Sequence, residues 1–120
     1  MAELVQDCVF CKIVQKEIPA DIVYEDDLMI AFKDINPQAK VHILLIPKQH
    51  IPNNLYLEGA HKPLIGHIIT KANEIAKKIG IAETGFRLIV NCGKDAGQEV
   101  FHIHWHLLGG EPLGRLICKK

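Results

Sequence analysis

The sequence has no surplus of either charge: 14 lysines and arginines stand against 14 aspartates and glutamates, for a formal net charge of zero. Holding a phosphate backbone by counter-charge needs a basic excess, so this balance points away from a nucleic-acid partner. No run approaches the roughly 18 consecutive apolar residues of a membrane-spanning helix. The opening MAELVQDCVFCKIVQKEIPA lacks a basic region followed by an apolar core and a small-residue cleavage site, so the expectation is a soluble, cytoplasmic chain. Low-complexity tracts, long linkers and internal repeats are also missing. Cysteine is sparse, with Cys8, Cys11, Cys92 and Cys118 only; in a reducing compartment these are expected to be thiols or metal ligands rather than a disulfide framework.

What remains is an ordinary globule. Apolar residues make up 48% and charged residues 23% of the 120 positions, enough for one domain spanning 1–120 with its own core. VFCKIVQKE (9–17) has an apolar face of Val9, Phe10, Ile13 and Val14, with Pro19 beyond it, and reads as a short helix. DIVYEDD and LMIAFKD read as strands around the acidic turn Glu25-Asp26-Asp27, and VHILLIP (41–47) as a third strand. AHKPLIGHIITKANEIAKKIGI carries a helical apolar stripe, with Pro63 in its first turn and Gly80 as its C-terminal cap. FRLIVNC (86–92) and HIHWHLL (102–108) follow as strands, joined by GKDAGQEVF. The predicted class is α+β: a five-stranded, mostly antiparallel sheet with one short N-terminal helix and one long central helix.

FHIHWHLLGG (101–110) sets three histidines at alternate positions in an apolar run. On a strand, residues two apart share a face at a spacing of about 6.6 Å. His102, His104 and His106 then form one row, while Ile103, Trp105 and Leu107 point into a core. Burying three imidazoles as packing alone is costly unless each finds a partner. Partly exposed strand histidines, a three-histidine metal site and nucleophilic catalysis by one positioned histidine all fit this pattern.

HIHWHLL matches the pattern His-φ-His-φ-His-φ-φ, with φ apolar, and GQEV lies just upstream. Together with FCKIVQKEIPADIVYEDD, AFKDINPQAKVHILLIPKQHI and GFRLIVN, the chain resembles the histidine-triad (HIT) family in its Hint branch, the histidine-triad nucleotide-binding proteins, over roughly residues 8–110. The resemblance implies a nucleotide-binding hydrolase that cleaves purine nucleoside 5′-phosphoramidates of the AMP-amine type through a covalent nucleotidyl-histidine. The nucleophile falls on His104, flanked by His106 as donor and charge stabiliser and by His102 as support, with His42 joining the proton network. A neutral imidazole near pH 7 is a nitrogen nucleophile whose second nitrogen must donate a hydrogen bond to fix the tautomer.

The same resemblance assigns Asp34 to the ribose hydroxyls and Phe10, Phe32 and Ile35 to the base. Asn91 and the loop AGQEV, with Gly97, Gln98, Glu99 and Val100, fall on the phosphate. Gly97 permits close approach of backbone amides, and Gln98 is expected to offer its side-chain amide. No Gly-Lys-Ser/Thr follows, so this is not a P-loop. Glu99 stands where some family members carry a serine; it can act as acid or base or face solvent. Purine nucleotides (AMP or GMP type) and a second copy of the chain are the implied partners. A dinucleoside polyphosphate hydrolase, or a nucleotide-binding interaction module with incidental hydrolysis, are the alternatives. Residues 111–120 form a tail with no readable role.

Cys8-x-x-Cys11 alone fits buried thiols, a redox pair or half a metal site; with no preceding strand, a thioredoxin-like reading is disfavoured. A structural zinc needs four ligands. His50 and His102 would complete a Cys2His2 set, an arrangement that some histidine-triad relatives resemble. No cofactor is required for the expected catalysis, and zinc is the structural candidate.

Overall fold

A computed structural model describes residues 7–117; Cys118 lies outside them. The elements are α1 (Val9–Val14), β1 (Ile22–Glu25), β2 (Met29–Lys33), β3 (Val41–Pro47), α2 (Lys62–Ile79), β4 (Phe86–Val90) and β5 (Trp105–Gly109). All five strands pair antiparallel in the order β1-β2-β3-β5-β4, the α+β sheet that the periodicities predict.

Because side chains alternate across a sheet, β2 and β3 each feed two cores. Met29, Ala31, Ile43, Leu45, Ile103, Trp105 and Leu107 pack with Ile68, Ala72, Ile75 and Ala76 of α2. The opposite face carries Ile30, Phe32, Leu44 and Ile46, covered by Cys8, Phe10, Cys11 and Ile13 around α1. Each fully buried isoleucine or leucine contributes about 1.5–3 kcal/mol relative to exposure. α2 ends as its sequence requires: Gly80 adopts the left-handed conformation (φ 96°) and its N–H donates to Ala76 O at 3.0 Å.

Several boundaries are shorter than the sequence patterns suggest. α1 stops at Val14 because Lys16 enters the left-handed region with φ 66°. β1 ends at Glu25 because the Asp26 carboxylate caps a turn, accepting from Leu28 N at 2.8 Å and Met29 N at 2.9 Å. β4 ends at Val90. β5 begins at Trp105 rather than at His102, because Ile103 N leaves the ladder to donate to Ile51 O at 2.6 Å. The tail is tied near its start: Lys40 N donates to Glu111 Oε2 at 2.7 Å, and Arg87 Nη2 to Gly114 O at 2.6 Å. Among the described residues, no helix is long and apolar enough to cross a membrane.

Asp26 also joins the first core to α2. Tyr24 OH donates to Asp26 Oδ2 at 2.6 Å, and His67 Nε2 lies 2.6 Å from the same oxygen. Burial works to raise the carboxyl pKa, but the hydrogen bonds from Tyr24, His67 and the two amides outweigh it and hold the group well below the ordinary range. A depressed carboxylate pKa stabilises the fold above its unfolded value, near 3.9, and that contribution is lost as pH falls through the folded value. Asp26→Asn is therefore expected to cost about 2 kcal/mol at neutral pH, after allowing for water at the exposed edge. The difference from the parent should shrink in acid, which urea unfolding at a series of pH values would measure.

Candidate active site

The α1 face of the sheet opens into a cavity of about 520 Å³. Phe10, Phe32, Asp34, Ile35, Asn91, Gly97, Gln98, Glu99, Val100, His104 and His106 all line it. Ile18, Ala20, Lys33 and Leu44 also line it, as do Val9 and Ile13 from α1 and Pro19 just beyond it. The signal for Ile18-Pro19-Ala20 was available, since the residues leaving α1 must cross the face that α1 covers.

His102 and His42 stand behind the cavity, and here the row of three imidazoles needs correction. Only His106 lies within β5; His104 and His102 precede it. The alternation persists, since Ile103, Trp105 and Leu107 stay in the α2 core. His102, however, is fully buried and turned toward the cysteines, while His104 and His106 keep ring centroids 5.1 Å apart at the cavity wall. His102 supports its neighbour through its backbone: His104 Nδ1 donates to His102 O at 2.8 Å. A carbonyl only accepts, so Nδ1 holds the proton and Nε2 the lone pair. Burial lowers the His104 pKa, against the opposing pull of the His102 carbonyl and Asp34, and the ring is neutral at pH 7. Phe10 packs edge-on against it at 5.1 Å.

A second chain of contacts fixes His106. Gln38 N donates to His42 Nδ1 at 3.0 Å, so His42 carries its proton on Nε2. That nitrogen lies 2.9 Å from His106 Nδ1 and 3.4 Å from Asp34 Oδ2. The two rings are diagonal neighbours across the β3–β5 ladder, where Leu44 faces His106 and His42 faces Leu108. With His106 Nδ1 accepting, its Nε2–H is the donor left for the cavity. Burial, with the charges of His104 and His42, pushes the His106 pKa down to about 4 despite Asp34.

Among the described residues, two clusters bring three or more ligand-type side chains within 4.8 Å of one another: Cys8, Cys11, His50 and His102, and Asp34, His42 and His106. The tautomers separate them. In the first, His102 Nε2 donates to Pro47 O at 2.8 Å, leaving the Nδ1 lone pair aimed at Cys8 Sγ (3.3 Å) and Cys11 Sγ (3.5 Å). His50 Nδ1 lies 3.2 Å from Cys11 Sγ. Such separations are close to the edges, roughly 3.4–3.7 Å, of a tetrahedron around zinc with its usual bond lengths. The helix supplies the spacing: Cys8 is the N-cap of α1 and its Sγ accepts from Cys11 N at 3.3 Å. In the second cluster the proton on His42 Nε2 faces the other groups, so that set is arranged for hydrogen bonding rather than for a cation. Burial is the main cause lowering the His102 pKa to about 4, which also keeps its lone pair available.

The loop facing His104 is built on two left-handed glycines, Gly93 (φ 87°) and Gly97 (φ 80°), around a 3₁₀ turn at Lys94–Ala96. Gln98 does not present its amide as expected; both of its donors are engaged by Pro52 O and Val100 O. The Glu99 and Val100 backbone amides make no hydrogen bond among the described residues, and both residues line the cavity.

A ring with a fixed tautomer and an unprotonated nitrogen at the cavity, a second ring donating beside it and a facing glycine loop are what a histidine triad calls for, and the HIT domain model matches residues 15–113. The chain belongs to the HIT family. It is 50% identical over 117 residues to the purine nucleoside phosphoramidase of Escherichia coli K12, covering 98% of both chains. It is 52% identical over 103 residues to protein HitA of Neisseria gonorrhoeae, covering 86% of this chain and 95% of that one. Among solved structures, a HIT family hydrolase from Clostridium thermocellum superposes with a TM-score of 0.91 at 51% identity, covering 95% and 99% of the two chains. A histidine triad protein from Clostridium difficile gives 0.91 at 46% identity, with 94% and 98% covered.

Proposed function

We propose that this protein is a hydrolase of purine nucleoside 5′-phosphoramidates, acting through a nucleotidyl-His104 intermediate. The observation that carries the reading is the His104 tautomer, with Nδ1 held by His102 O and Nε2 unprotonated on a ring that lines the cavity. The identity with the Escherichia coli phosphoramidase supports the same substrate class.

In this mechanism Asp34 accepts from the ribose hydroxyls, with Phe10, Phe32 and Ile35 against the base. Asn91 and the amides of Glu99 and Val100, brought close by Gly97, donate to the phosphate. An anionic phosphate beside His106 favours its protonated form, in which Nδ1 gains a proton and the hydrogen bond from His42 Nε2 is given up. Attack by His104 Nε2 forms a nitrogen–phosphorus bond as the phosphorus–amine bond breaks, and His106 gives its proton to the departing nitrogen. Water then attacks phosphorus, returns a proton to His106 and releases His104 with the nucleoside monophosphate. Glu99 stands at the cavity wall, where a carboxylate can order that water or the leaving amine.

Cys8, Cys11, His50 and His102 would hold a structural zinc, which supplies no chemistry at phosphorus because protein fills all four positions. We also propose a homodimer through β4. It is an edge strand whose residues are only partly buried, with Phe86, Leu88, Ile89 and Val90 apolar, and such an edge calls for a partner.

The functional test compares adenosine 5′-phosphoramidate with a diadenosine polyphosphate as substrates for the purified chain. The phosphoramidate is expected to have kcat/KM at least about a hundredfold higher, since the arrangement serves a leaving group that needs a proton. Equal turnover, or preference for the polyphosphate, would remove the reading.

A further inference from the structure

Gln98 is 7% exposed, and every hydrogen-bonding position of its side chain is occupied. Oε1 accepts from Gly93 N at 2.8 Å and from Asn53 Nδ2 at 3.5 Å; Nε2 donates to Pro52 O at 2.8 Å and Val100 O at 3.1 Å. A carboxamide has two donors and two acceptor lone pairs, so the set is complete. Gln98 N also donates to Gly93 O at 3.1 Å, so these two residues hold each other in both directions across the loop.

We propose that Gln98 is a positioning residue: it clamps the phosphate loop 93–100 to the segment following β3 and sets phosphate affinity without touching the nucleotide. The proposal rests on the nucleotide reading above. Direct donation from Nε2 to a phosphate would strip a partner from Pro52 O or Val100 O, and a buried carbonyl left unpaired is costly. The loop has little else to fix it. Among the described residues it has no ladder partner, it turns through two left-handed glycines, and its other internal backbone bond runs from Gly97 N to Lys94 O at 3.0 Å. The clamp fastens it where the chain is already anchored. Ile51 O, one residue before Pro52, accepts from Ile103 N at 2.6 Å, so both ends of 98–103 are tied to 51–53. The Glu99 and Val100 amides are thereby held in place before any ligand arrives, which removes the ordering cost from binding.

Gln98→Ala deletes the clamp, and Gln98→Glu keeps its size and acceptor while losing both donors. In nucleotide-free protein, amide exchange at Gly93 should rise about tenfold or more in Gln98→Ala. By calorimetry, both variants should bind AMP about tenfold more weakly, the effect of one or two lost hydrogen bonds, while adenosine affinity stays within about twofold. Unchanged Gly93 exchange alongside weaker AMP binding would mean direct contact and overturn the proposal. Equal losses for AMP and adenosine would also overturn it, because they indicate a general role in the fold. If the parent protein fails to bind AMP, the nucleotide reading falls, and Gly93 exchange alone still decides whether the clamp exists.

Discussion

His104→Ala is expected to lower turnover of adenosine 5′-phosphoramidate by about a thousandfold or more, with the fold retained. The size follows from how completely the neighbouring rings are engaged. His102 cannot substitute, because its Nδ1 faces the two sulfurs and its Nε2 is held by Pro47 O. His106 cannot substitute either: its Nδ1 receives His42 Nε2–H, so its cavity-facing nitrogen carries a proton rather than a lone pair. His42 is 6% exposed and one ring further back. Removing one imidazole therefore removes the nitrogen lone pair that the triad turns to the cavity. The fold survives because the core on the α2 side, Ile103, Trp105 and Leu107, is untouched. Steady-state kinetics with AMP binding as the fold control would check this, and His104→Gly gives a sharper version, since free imidazole should restore part of the rate. Turnover by the alanine variant within tenfold of the parent would end the nucleophile assignment.

The sequence made the sheet legible because its strands are short apolar runs bounded by turn residues. VHILLIP is a strand over its whole predicted length, Val41–Pro47, and Pro63 and Gly80 bracket α2 as their backbone preferences require. What escaped was set by single hydrogen bonds between distant segments. Alternation continues through His102-Ile103-His104, so nothing in that string announces that Ile103 N pairs with Ile51 rather than with a strand.

The same limit governed the site. Side chains that face one cavity could be gathered from their periodicity and from a family resemblance, and Asp34, Asn91, His104 and His106 all line one cavity. The groups that decide protonation are backbone atoms: Gln38 N, Pro47 O and His102 O. A backbone atom has no residue signature, so only coordinates reveal which ring nitrogen holds the proton. Gln98 illustrates the converse. Its side chain is the right type for a phosphate contact, and only its burial and its four partners show that it serves the loop instead.

Zinc bound at Cys8, Cys11, His50 and His102 is expected at one ion per chain, and its removal should cost the protein more stability than most single substitutions. A metal held by the native state alone stabilises it by about 4 kcal/mol when present at a thousand times its dissociation constant. In a domain of this size that is on the order of 15 °C in unfolding temperature. The loss should also reach the cavity, because Cys8 and Cys11 anchor α1, and α1 places Phe10 against both Phe32 (5.7 Å) and the His104 ring (5.1 Å). Chelation, or Cys11→Ser, should therefore lower the unfolding temperature and weaken AMP binding together. Acidification should do the same, since the thiolates must be deprotonated to hold the ion. Cys92→Ser is the control, a free cysteine outside the cluster, and should change neither quantity. Metal analysis and thermal unfolding with and without chelator measure both. A chain that holds no zinc after dialysis against it, or whose unfolding ignores the chelator, would leave Cys8 and Cys11 as buried thiols donating to imidazole.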